Sequence, residues 1–515
     1  MARIYVTEPG HTGGVGAMGM RILVDSLRDH GHDVTRVRLF KHRRGDAGDQ
    51  IPLLSGGTET VSDAAVLPRP DAWFVSTLYP RQWVDIPDMF RRIGLPVLAS
   101  ERKPNDPLVA FGGQSMIAPA PIETFADVLA MGDGEVTGAA IGAMLDAGMT
   151  RERIMGDVAG RDGFYVPKYG GILRRIESAS VTPRLIRDDE GRGAPVVEIA
   201  RGCASKCAFC PIGWAGGSYR ETASEAVSAI VSASRLRGGK VNLFAPDYSS
   251  VSDVPHYEDM LAEAGCSSAG RDARMDAAAR HLNQGRGGVK AYNFGVEGLS
   301  ERLRRAIGKP LSNDTIVSLM SRLGAQGVSS VRWYMILGLP TEDDDDMAEF
   351  LATVTACRAA FPGRFEVTCT HLQAAPHTPL QWIDNRYDAS AVARAVMLRD
   401  HLRELHARDG KVCVASEMKG RELHEHDAWI QRADASASEY LLRLDGSAAK
   451  LRDGRWRDIA GRAAVDCGLG ARDPMAPVPW DHVDVGVAKE RVVRGWANYQ
   501  RIAARTKTET PHPGG

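Results

Sequence analysis

Three cysteines crowd into one short segment of the chain. Cys203, Cys207 and Cys210 lie in the run RGCASKCAFCP and have the spacing C-x3-C-x2-C. Thiolates this close together can ligate three irons of a [4Fe–4S] cube, because a short loop makes them converge. Zinc is the competing interpretation, but zinc would usually need a fourth cysteine or histidine at a short spacing. The next such residues are His256 and Cys266, so the spacing favours an iron–sulfur cluster with three protein ligands.

The fourth iron of such a cube has no protein ligand. That open position is what S-adenosylmethionine (SAM) needs, because its amino and carboxylate groups can chelate the iron. An electron from the cluster then breaks the S–C5′ bond, and the resulting 5′-deoxyadenosyl radical abstracts hydrogen from unactivated carbon. The cofactor performs this chemistry, while the protein positions it and excludes water.

Composition limits the class of protein that carries this loop. The chain has 515 residues and a formal net charge of −1, so it has no global basic field that would gather nucleic acid. The start, MARIYVTEPG, lacks the charged and apolar regions of a signal peptide. No apolar run approaches the roughly 20 residues of a membrane span. The remaining cysteines are scattered singly, so we expect a cytoplasmic protein with no membrane segment and no second cluster.

The elements around the cysteines alternate between strand and helix patterns, which predicts the α/β class with parallel sheets. Strand-like runs from ARIYVTE to DVLAMGD, including LPVLAS, predict an N-terminal Rossmann-like, doubly wound domain over residues 1–155. A connector with some strand pairing of its own is expected over 156–192. The strand VVEIA leads into the cysteine loop and opens a (β/α) partial barrel over 193–385. We expect a smaller, mostly helical region over 386–505 and a disordered polar tail over 506–515.

Beyond the cysteines, the sequence resembles the radical SAM superfamily. Two later segments of its barrel are similar to GVEGLSERLRRAIGKPL and VRWYMILGLPTED of this sequence. Many members have a cobalamin-binding-like domain ahead of the barrel, and this domain resembles the runs GAMGMRILVDSLRDHGHDV and PLVAFGGQSMIAPAPIETFADVLAMGDGE. The C-terminal run PWDHVD resembles a segment of one poorly characterised bacterial family within this group. The resemblance implies a [4Fe–4S] cluster, SAM and an external flavodoxin- or ferredoxin-like electron donor.

Some residues are candidate SAM ligands. The resemblance places Glu297 in the SAM pocket and Asp247 and Tyr248 at a position where relatives contact SAM, although a plain strand-end turn explains Asp247 equally well. We also predict SAM contacts from Phe209, the aromatic residue of the cysteine motif, and from Arg332, which alternates with apolar neighbours on a barrel strand.

Cobalamin is a further candidate cofactor, and its site would lie near glycine-rich turns beyond the strand ends of the N-terminal domain. The candidates there are Gly13, Gly14, Gly112, Gly113 and Gly132. The D-x-H-x-x-G signature of a lower histidine ligand is absent from the sequence. The alternative is a doubly wound domain without a ligand that shapes the substrate cleft.

The sequence gives only weak indications of which residues are catalytic. Cys369 and His371 share one face of the strand pattern EVTCTHL and are candidates for a hydrogen donor and a proton shuttle, and Tyr334 is a candidate on the preceding strand. A lone buried cysteine is more often a small core residue. His482 of PWDHVD is a candidate for substrate binding or for a structural hydrogen bond, and the acidic run from Glu342 to Asp346 suits a solvated helix start.

These features predict a radical SAM enzyme that modifies an unactivated carbon. With cobalamin the expected outcome is C-methylation, and without cobalamin it is a rearrangement or another radical transformation. A non-catalytic iron–sulfur module for sensing is the alternative from another class, while a methylthiolating enzyme is disfavoured because no cysteine precedes Cys203. The sequence does not identify the substrate, which could be a nucleotide, a nucleic-acid base, an amino-acid-derived compound or another small molecule, and it does not give the oligomeric state.

Overall fold

A computed structural model of the chain describes residues 1–9, 18–37, 53–55, 57–58, 68–186, 194–233, 239–268, 271–281, 291–410, 413–415, 418–444 and 448–504. It has the α/β class and the parallel sheets expected from the strand and helix patterns. Among these residues no helix is both long enough and apolar enough to cross a bilayer.

The N-terminal sheet has the strand order β4-β3-β2-β1-β5-β6-β7-β8. Its strands are β1 (Arg3–Thr7), β2 (Asp33–Val37), β3 (Leu53–Ser55), β4 (Gly57–Thr58), β5 (Ala72–Ser76), β6 (Leu108–Gly112), β7 (Val128–Ala130) and β8 (Phe164–Tyr165). The helices between them are α1 (Met18–Asp29), α2 (Ile86–Arg92), α3 (Gly134–Asp146) and α4 (Arg151–Val158). The parallel strands β2, β1, β5, β6 and β7 run in the 2-1-3-4-5 order of flavodoxin-like folds, whose switch point lies between β1 and β5.

Two sequence expectations for this region differ from the structure. The run LPVLAS forms no strand, because Leu95, Val97 and Leu98 pack partly buried against the core and the chain then turns at Ala99–Glu101. The N-terminal sheet also continues past residue 155, since β8 pairs with β7. The segment predicted as a connector therefore supplies the last strand of this sheet.

The barrel is built from two stretches of strands, in the orders β10-β11-β14-β15 and β16-β17-β18-β19-β20. Apart from the antiparallel pair β10–β11, neighbours in these stretches are parallel. The strands are β10 (Leu185–Ile186), β11 (Val196–Glu198), β14 (Lys240–Phe244), β15 (Ser267–Ser268), β16 (Arg271–Ala273), β17 (Ala291–Glu297), β18 (Ser330–Leu337), β19 (Arg364–His371) and β20 (Cys413–Ala415).

Helices and two short strand pairs complete the barrel region. The helices are α5 (Pro211–Ala215), α6 (Ser224–Ala233), α7 (Val254–Glu263), α8 (Met275–His281), α9 (Glu301–Ala306), α10 (Asn313–Ala325) and α11 (Asp344–Ala360). Strand β12 (Ala200–Arg201) pairs with β13 (Arg220–Glu221), and β9 (Leu173–Arg174) pairs with β21 (Val483–Asp484) near the C-terminus. The parallel β9–β21 pair joins the segment after the N-terminal sheet to the end of the chain.

The C-terminal region is mostly helical, with α12 (Ala389–Asp409), α13 (Arg421–Ile430), α14 (Ala437–Leu444), α15 (Ala448–Arg452), α16 (Trp456–Ala460), α17 (Arg462–Leu469) and α18 (Lys489–Ala503). Side chains of the N-terminal sheet alternate between two cores, as a pleated strand requires. Ile4 and Phe74 pack with α1 and α3, whereas Tyr5, Trp73 and Phe111 belong to a core shared with the C-terminal helices. The C-terminal region therefore covers one face of the N-terminal sheet.

Candidate functional site

The cysteine loop leaves the carboxyl end of β11 and returns through β13. Gly202 has a φ of 74°, and a Cβ at this position would lie 2.3 Å from the Ser218 carbonyl oxygen. Only glycine therefore allows the first residues of the loop to pack directly against its last residues. The Ala208 backbone N–H donates to the Ile307 carbonyl over 2.9 Å, and Trp214 Nε1 donates to the Cys207 carbonyl over 2.9 Å. The first contact fixes the loop against the segment that follows α9, and the second joins two parts of the loop itself.

The three predicted cluster cysteines lie close enough to influence one another electrostatically. Burial raises the pKa of Cys207 to about 11, although the charges of Lys309 and Arg274 oppose this shift. Burial also raises the pKa of Cys210, while the backbone N–H groups of Gly213 and Ile212 donate to its sulfur and favour the thiolate. The Cys207 thiol is therefore protonated at neutral pH without metal, and its binding to a cluster would release a proton.

A cube differs from a single metal ion in the ligand geometry that it needs. In the described part of the chain, no three His, Cys, Asp or Glu side chains converge on one point that would suit a single ion. In a [4Fe–4S] cube each thiolate binds a different iron, so the sulfurs need not meet at one point. Three cysteines on one clamped loop, with cationic side chains facing Cys207, suit such a cube.

Glu297 lies at the carboxyl end of β17, in the second stretch of barrel strands, and its φ of 62° is a left-handed conformation that is unusual for a residue with a side chain. Its carboxylate accepts a hydrogen bond from Lys309, whose ammonium group also donates to the Gly295 carbonyl over 2.8 Å. Burial raises the pKa of Glu297, and Lys309 opposes that shift. Lys309 lies 6.0 Å from the centre of the Phe209 ring. The structure thus groups Glu297, Phe209 and the cysteine loop around Lys309, a residue to which the sequence analysis gave no role.

Asp247 and Tyr248 follow β14, and the Asp247 carboxylate is hydrogen-bonded within its own turn. Its carboxylate accepts hydrogen bonds from the Ser249 backbone over 3.1 Å and from the hydroxyls of Ser249 and Ser250. The Arg274 backbone N–H donates to the same carboxylate over 3.3 Å. Tyr248 is buried in the core between the strands and α7. This geometry matches the strand-end turn that was the alternative to a SAM ligand.

Arg332 and Tyr334 lie on the inner face of the barrel. Trp333 between them packs on the other face, against Phe350 of α11 and Phe365 of β19, with ring centres 6.2 and 4.6 Å away. Arg332 pairs with Glu366 at 2.6 Å, and its side chain is 43% exposed, so the inner face carries a charged pair that is open to solvent. Both residues therefore face the barrel interior.

The other two catalytic candidates do not face the interior. Cys369 is buried in the core together with Phe365 and Val367, on the helix side of β19, and burial raises its pKa to about 12. His371 stacks on Tyr387 and contacts His424, with ring centres 4.7 and 4.6 Å away. The prediction that these two side chains line the pocket is wrong, because the strand turns their face toward the helices.

His482 has a structural partner in the N-terminal region. Its Nε2 lies 2.8 Å from the Glu123 carboxylate, and its ring lies against Tyr165 at 5.4 Å between ring centres. Two residues earlier, Trp480 Nε1 donates to the Gln381 side chain over 3.0 Å. The PWDHVD segment thus joins three regions of the chain, in agreement with the structural alternative for His482.

The glycines predicted to hold cobalamin divide into two groups. Gly13 and Gly14 lie outside the described residues. A Cβ on Gly113 would lie 2.3 Å from the Thr77 carbonyl oxygen, and one on Gly132 would lie 1.9 Å from the Ile176 carbonyl oxygen. A Cβ on Gly112 would meet only the Ala130 carbonyl oxygen, at 3.6 Å. At Gly113 and Gly132 the space that a side chain would take is thus occupied by the protein's own backbone, and the role of these glycines toward cobalamin stays a prediction.

An ionic network that the sequence analysis missed joins the N-terminal sheet to the cysteine loop. Asp133, at the start of α3, pairs with Arg201 at 2.9 Å and with Arg220 at 2.7 Å. Arg201 lies two residues before Cys203 and also pairs with Glu198 at 2.7 Å and Glu135 at 2.8 Å. The only sequence signal was the acidic turn MGDGE directly after a strand.

Comparisons with known proteins agree with this architecture. The family described as "Radical SAM proteins, N-terminal" matches residues 35–167, and the family described as "Radical SAM superfamily" matches residues 197–354. An uncharacterized protein of Methanocaldococcus jannaschii is 26% identical over 192 residues, which are 36% of this chain and 42% of that protein. The match thus spans less than half of this archaeal relative.

Among solved structures, the fold is similar to that of the cobalamin-dependent S-adenosylmethionine radical enzyme OxsB. The form with aqua-cobalamin gives a TM-score of 0.50 at 12% identity, and the form with aqua-cobalamin and S-adenosylmethionine gives 0.51 at 11%. Each match covers 98% of this chain and 79% of the other. With the cysteine loop, the barrel and both family matches in agreement, the chain belongs to the radical SAM superfamily of [4Fe–4S]- and SAM-dependent enzymes, and it carries a radical SAM N-terminal domain ahead of the barrel.

Proposed function

We propose that this enzyme reductively cleaves SAM and uses the resulting radical to modify an unactivated carbon of its substrate. The observation that carries the proposal is the position of the cysteine loop and Glu297 at the carboxyl ends of the barrel strands, around Lys309. When bound, the cluster supplies the electron that breaks the S–C5′ bond of SAM. Parallel barrels commonly place their reaction sites at this end of the strands.

The residues of the chain have separable roles in this proposal. Cys203, Cys207 and Cys210 would hold the cluster as its three protein ligands. Lys309 keeps Glu297 in its left-handed position at the end of β17, where the carboxylate can accept a hydrogen bond from SAM. Arg332 and Tyr334 present polar groups to a substrate inside the barrel. An external reductant must supply the electron.

The test is an anaerobic incubation of the reconstituted enzyme with SAM and dithionite. We expect release of 5′-deoxyadenosine, measured by chromatography, and no release from the Cys207→Ala variant. A fully loaded cluster that leaves SAM intact would contradict the proposal and favour a sensing module.

Cobalamin-dependent C-methylation is the second candidate. Two observations favour it: the flavodoxin-like strand order of the N-terminal sheet, and the fold likeness over 98% of the chain to an enzyme that binds cobalamin. The test is an absorbance spectrum after anaerobic purification with cobalamin. Stoichiometric bound cobalamin supports C-methylation, whereas a spectrum with the iron–sulfur bands alone favours a cobalamin-independent rearrangement.

A further inference from the structure

Arg274, directly after β16, points its guanidinium group at a cluster cysteine. Its Nη1 donates to Cys207 Sγ over 3.0 Å. The two other nitrogens of the guanidinium bind the Asp276 carboxylate, Nε over 3.1 Å and Nη2 over 2.9 Å. The planar guanidinium is therefore held along one edge by Asp276 and presents the other edge to the sulfur.

The position of Arg274 is fixed from several sides. Its backbone N–H donates to Ser249 Oγ over 3.1 Å, within the turn that Asp247 organises. Its Nη2 also donates to the Gly308 carbonyl over 3.3 Å, and its side chain is only 12% exposed. The contact with the sulfur is therefore built into the fold and is not a chance position of a mobile surface arginine.

We propose that Arg274 is a positioning residue that tunes the cluster, raising its reduction potential through the hydrogen bond to Cys207. Hydrogen bonds to the cysteine sulfurs are one of the main means by which a protein sets the potential of an iron–sulfur cluster. On reduction, one electron passes from the external reductant to the cluster, whose negative charge grows by one. Arg274 stays protonated in both states, and its N–H group stabilises the reduced state more than the oxidised state.

Asp276 complicates a simple deletion, because removal of Arg274 alone leaves a carboxylate beside the cluster. An unpaired negative charge would also lower the potential. The double variant Arg274→Gln with Asp276→Asn removes the ion pair without a change in net charge and removes the guanidinium N–H group that is directed at the sulfur. Arg305→Gln is the matched control for one lost positive charge, because Arg305 is 62% exposed on α9.

The experiment is a redox titration of the reconstituted, SAM-free enzyme, with the reduced cluster followed by electron paramagnetic resonance. We expect the midpoint potential of the double variant to fall by at least the equivalent of a tenfold change in the reduction equilibrium, about 59 mV for one electron. Arg305→Gln should keep the wild-type value. If Arg274→Gln lowers the potential but the double variant restores it, the charge of Asp276 explains the effect and the proposal is wrong.

Two further results decide the remaining cases. If the double variant does not retain a cluster, the Arg274→Lys variant is titrated in its place. Lysine keeps the positive charge but cannot bind Asp276 and the sulfur with one planar group, so we expect the midpoint potential of this variant to fall as well. An unchanged potential with weaker SAM binding would make Arg274 a SAM ligand and overturn the proposal. Because no step of this test involves substrate or SAM cleavage, its failure is distinct from failure of the proposed function.

Discussion

At the scale of single residues, the charges around the cysteine loop explain how one buried thiol can become a ligand. Cys207 is 6% exposed, and burial alone opposes the thiolate. Arg274 and Lys309 both act against that cost. Lys309 also donates a hydrogen bond to the Glu297 carboxylate, so the sulfur, the carboxylate and the two cations form one coupled group.

Replacement of any cluster cysteine should abolish the cluster. In Cys203→Ser, Cys207→Ser and Cys210→Ser we expect loss of the iron–sulfur absorbance and of SAM cleavage, because the cube then lacks one of its three protein ligands. Cys467→Ser is the control, since Cys467 is exposed and distant in sequence from the motif, and it should keep its iron content. Wild-type iron content in any of the three variants would contradict the assignment.

Glu297→Gln keeps the size of the side chain but removes its charge. We expect the KM for SAM to rise about tenfold or more, since a charge-assisted hydrogen bond contributes roughly 1.5–3 kcal/mol. The cluster absorbance should persist, because Glu297 is not a cluster ligand. Glu404→Gln, on an exposed position of α12, is the matched control. Equal KM values in the two variants would place Glu297 outside the SAM site.

At the scale of elements, short segments that are distant in sequence hold the site together. The turn before α3 reaches the base of the cysteine loop through Asp133, and the loop after β19 reaches the N-terminal region through His377. These contacts make the position of the cluster depend on the N-terminal sheet.

Asp133→Asn tests the first of these links. Asp133 is 5% exposed, and its two arginine partners hold the pKa of its carboxyl group well below the usual range. Loss of the charge leaves Arg201 and Arg220 short of a partner, and breaking a buried pair of this kind costs roughly 3 kcal/mol. We expect a lower urea midpoint and faster cluster loss. Asp157→Asn, which breaks the exposed Asp157–Arg161 pair, should change the midpoint little.

His377 gives the second link a pH dependence. Its Nε2 donates to the Ile117 carbonyl over 2.9 Å, and burial lowers its pKa to about 4 from an ordinary value of 6.5. Between these two values the unfolded chain binds the proton and the folded chain does not, so stability falls as the pH falls. The loss from His377 should total roughly 3 kcal/mol across this window.

The measurement is urea unfolding above and below that window. His377→Gln should be less stable at neutral pH. Its unfolding within the window should take up one proton fewer than that of the wild type, so its free energy of unfolding should change less steeply with pH. His424, whose pKa is also lowered to about 4, remains in both proteins and accounts for part of the residual slope. An identical slope in wild type and variant would show that His377 is not the titrating group.

At the scale of the whole molecule, the N-terminal and C-terminal regions share one core. Trp73, Phe90 and Phe111 from the N-terminal region belong to the same buried cluster as Trp429 and Trp456 from the C-terminal helices. Arg81 also pairs with Asp427 across this boundary. The N-terminal sheet and the C-terminal helices therefore pack together as one structural unit.

A chain that starts at residue 187 should not fold as a stable barrel. Without the N-terminal sheet, the apolar faces of α13, α14 and α16 lose their cover, and an apolar surface of this extent favours aggregation. We expect the truncated protein to be insoluble or to bind a hydrophobic dye strongly, compared with the full chain. A soluble truncated chain with a single sharp unfolding transition would show that the shared core is dispensable.

The sequence by itself determined the parts of this protein that depend on local spacing. The cysteine motif, the α/β class and the family all followed from short runs and alternating patterns, because ligand convergence and strand periodicity are local properties. The length of the N-terminal sheet was underestimated, since β8 is a two-residue strand whose pairing is not visible in the sequence.

Only the tertiary structure decided which side chains face the site. Cys369 and Tyr334 lie on neighbouring strands with similar patterns, yet one packs against helices and the other faces the barrel interior. The acidic run was expected to be a solvated helix start, and α11 does begin within it, with Asp343, Asp344 and Asp345 exposed. The side chains of Glu342 and Asp346 are nevertheless buried, where they pair with Arg394 and Arg302 respectively. Arg274, Lys309 and Asp133 gain their roles from partners that are 12 to 87 residues away in the chain. These contacts form only once the strands are in register, so no local pattern could reveal which partners the three residues meet.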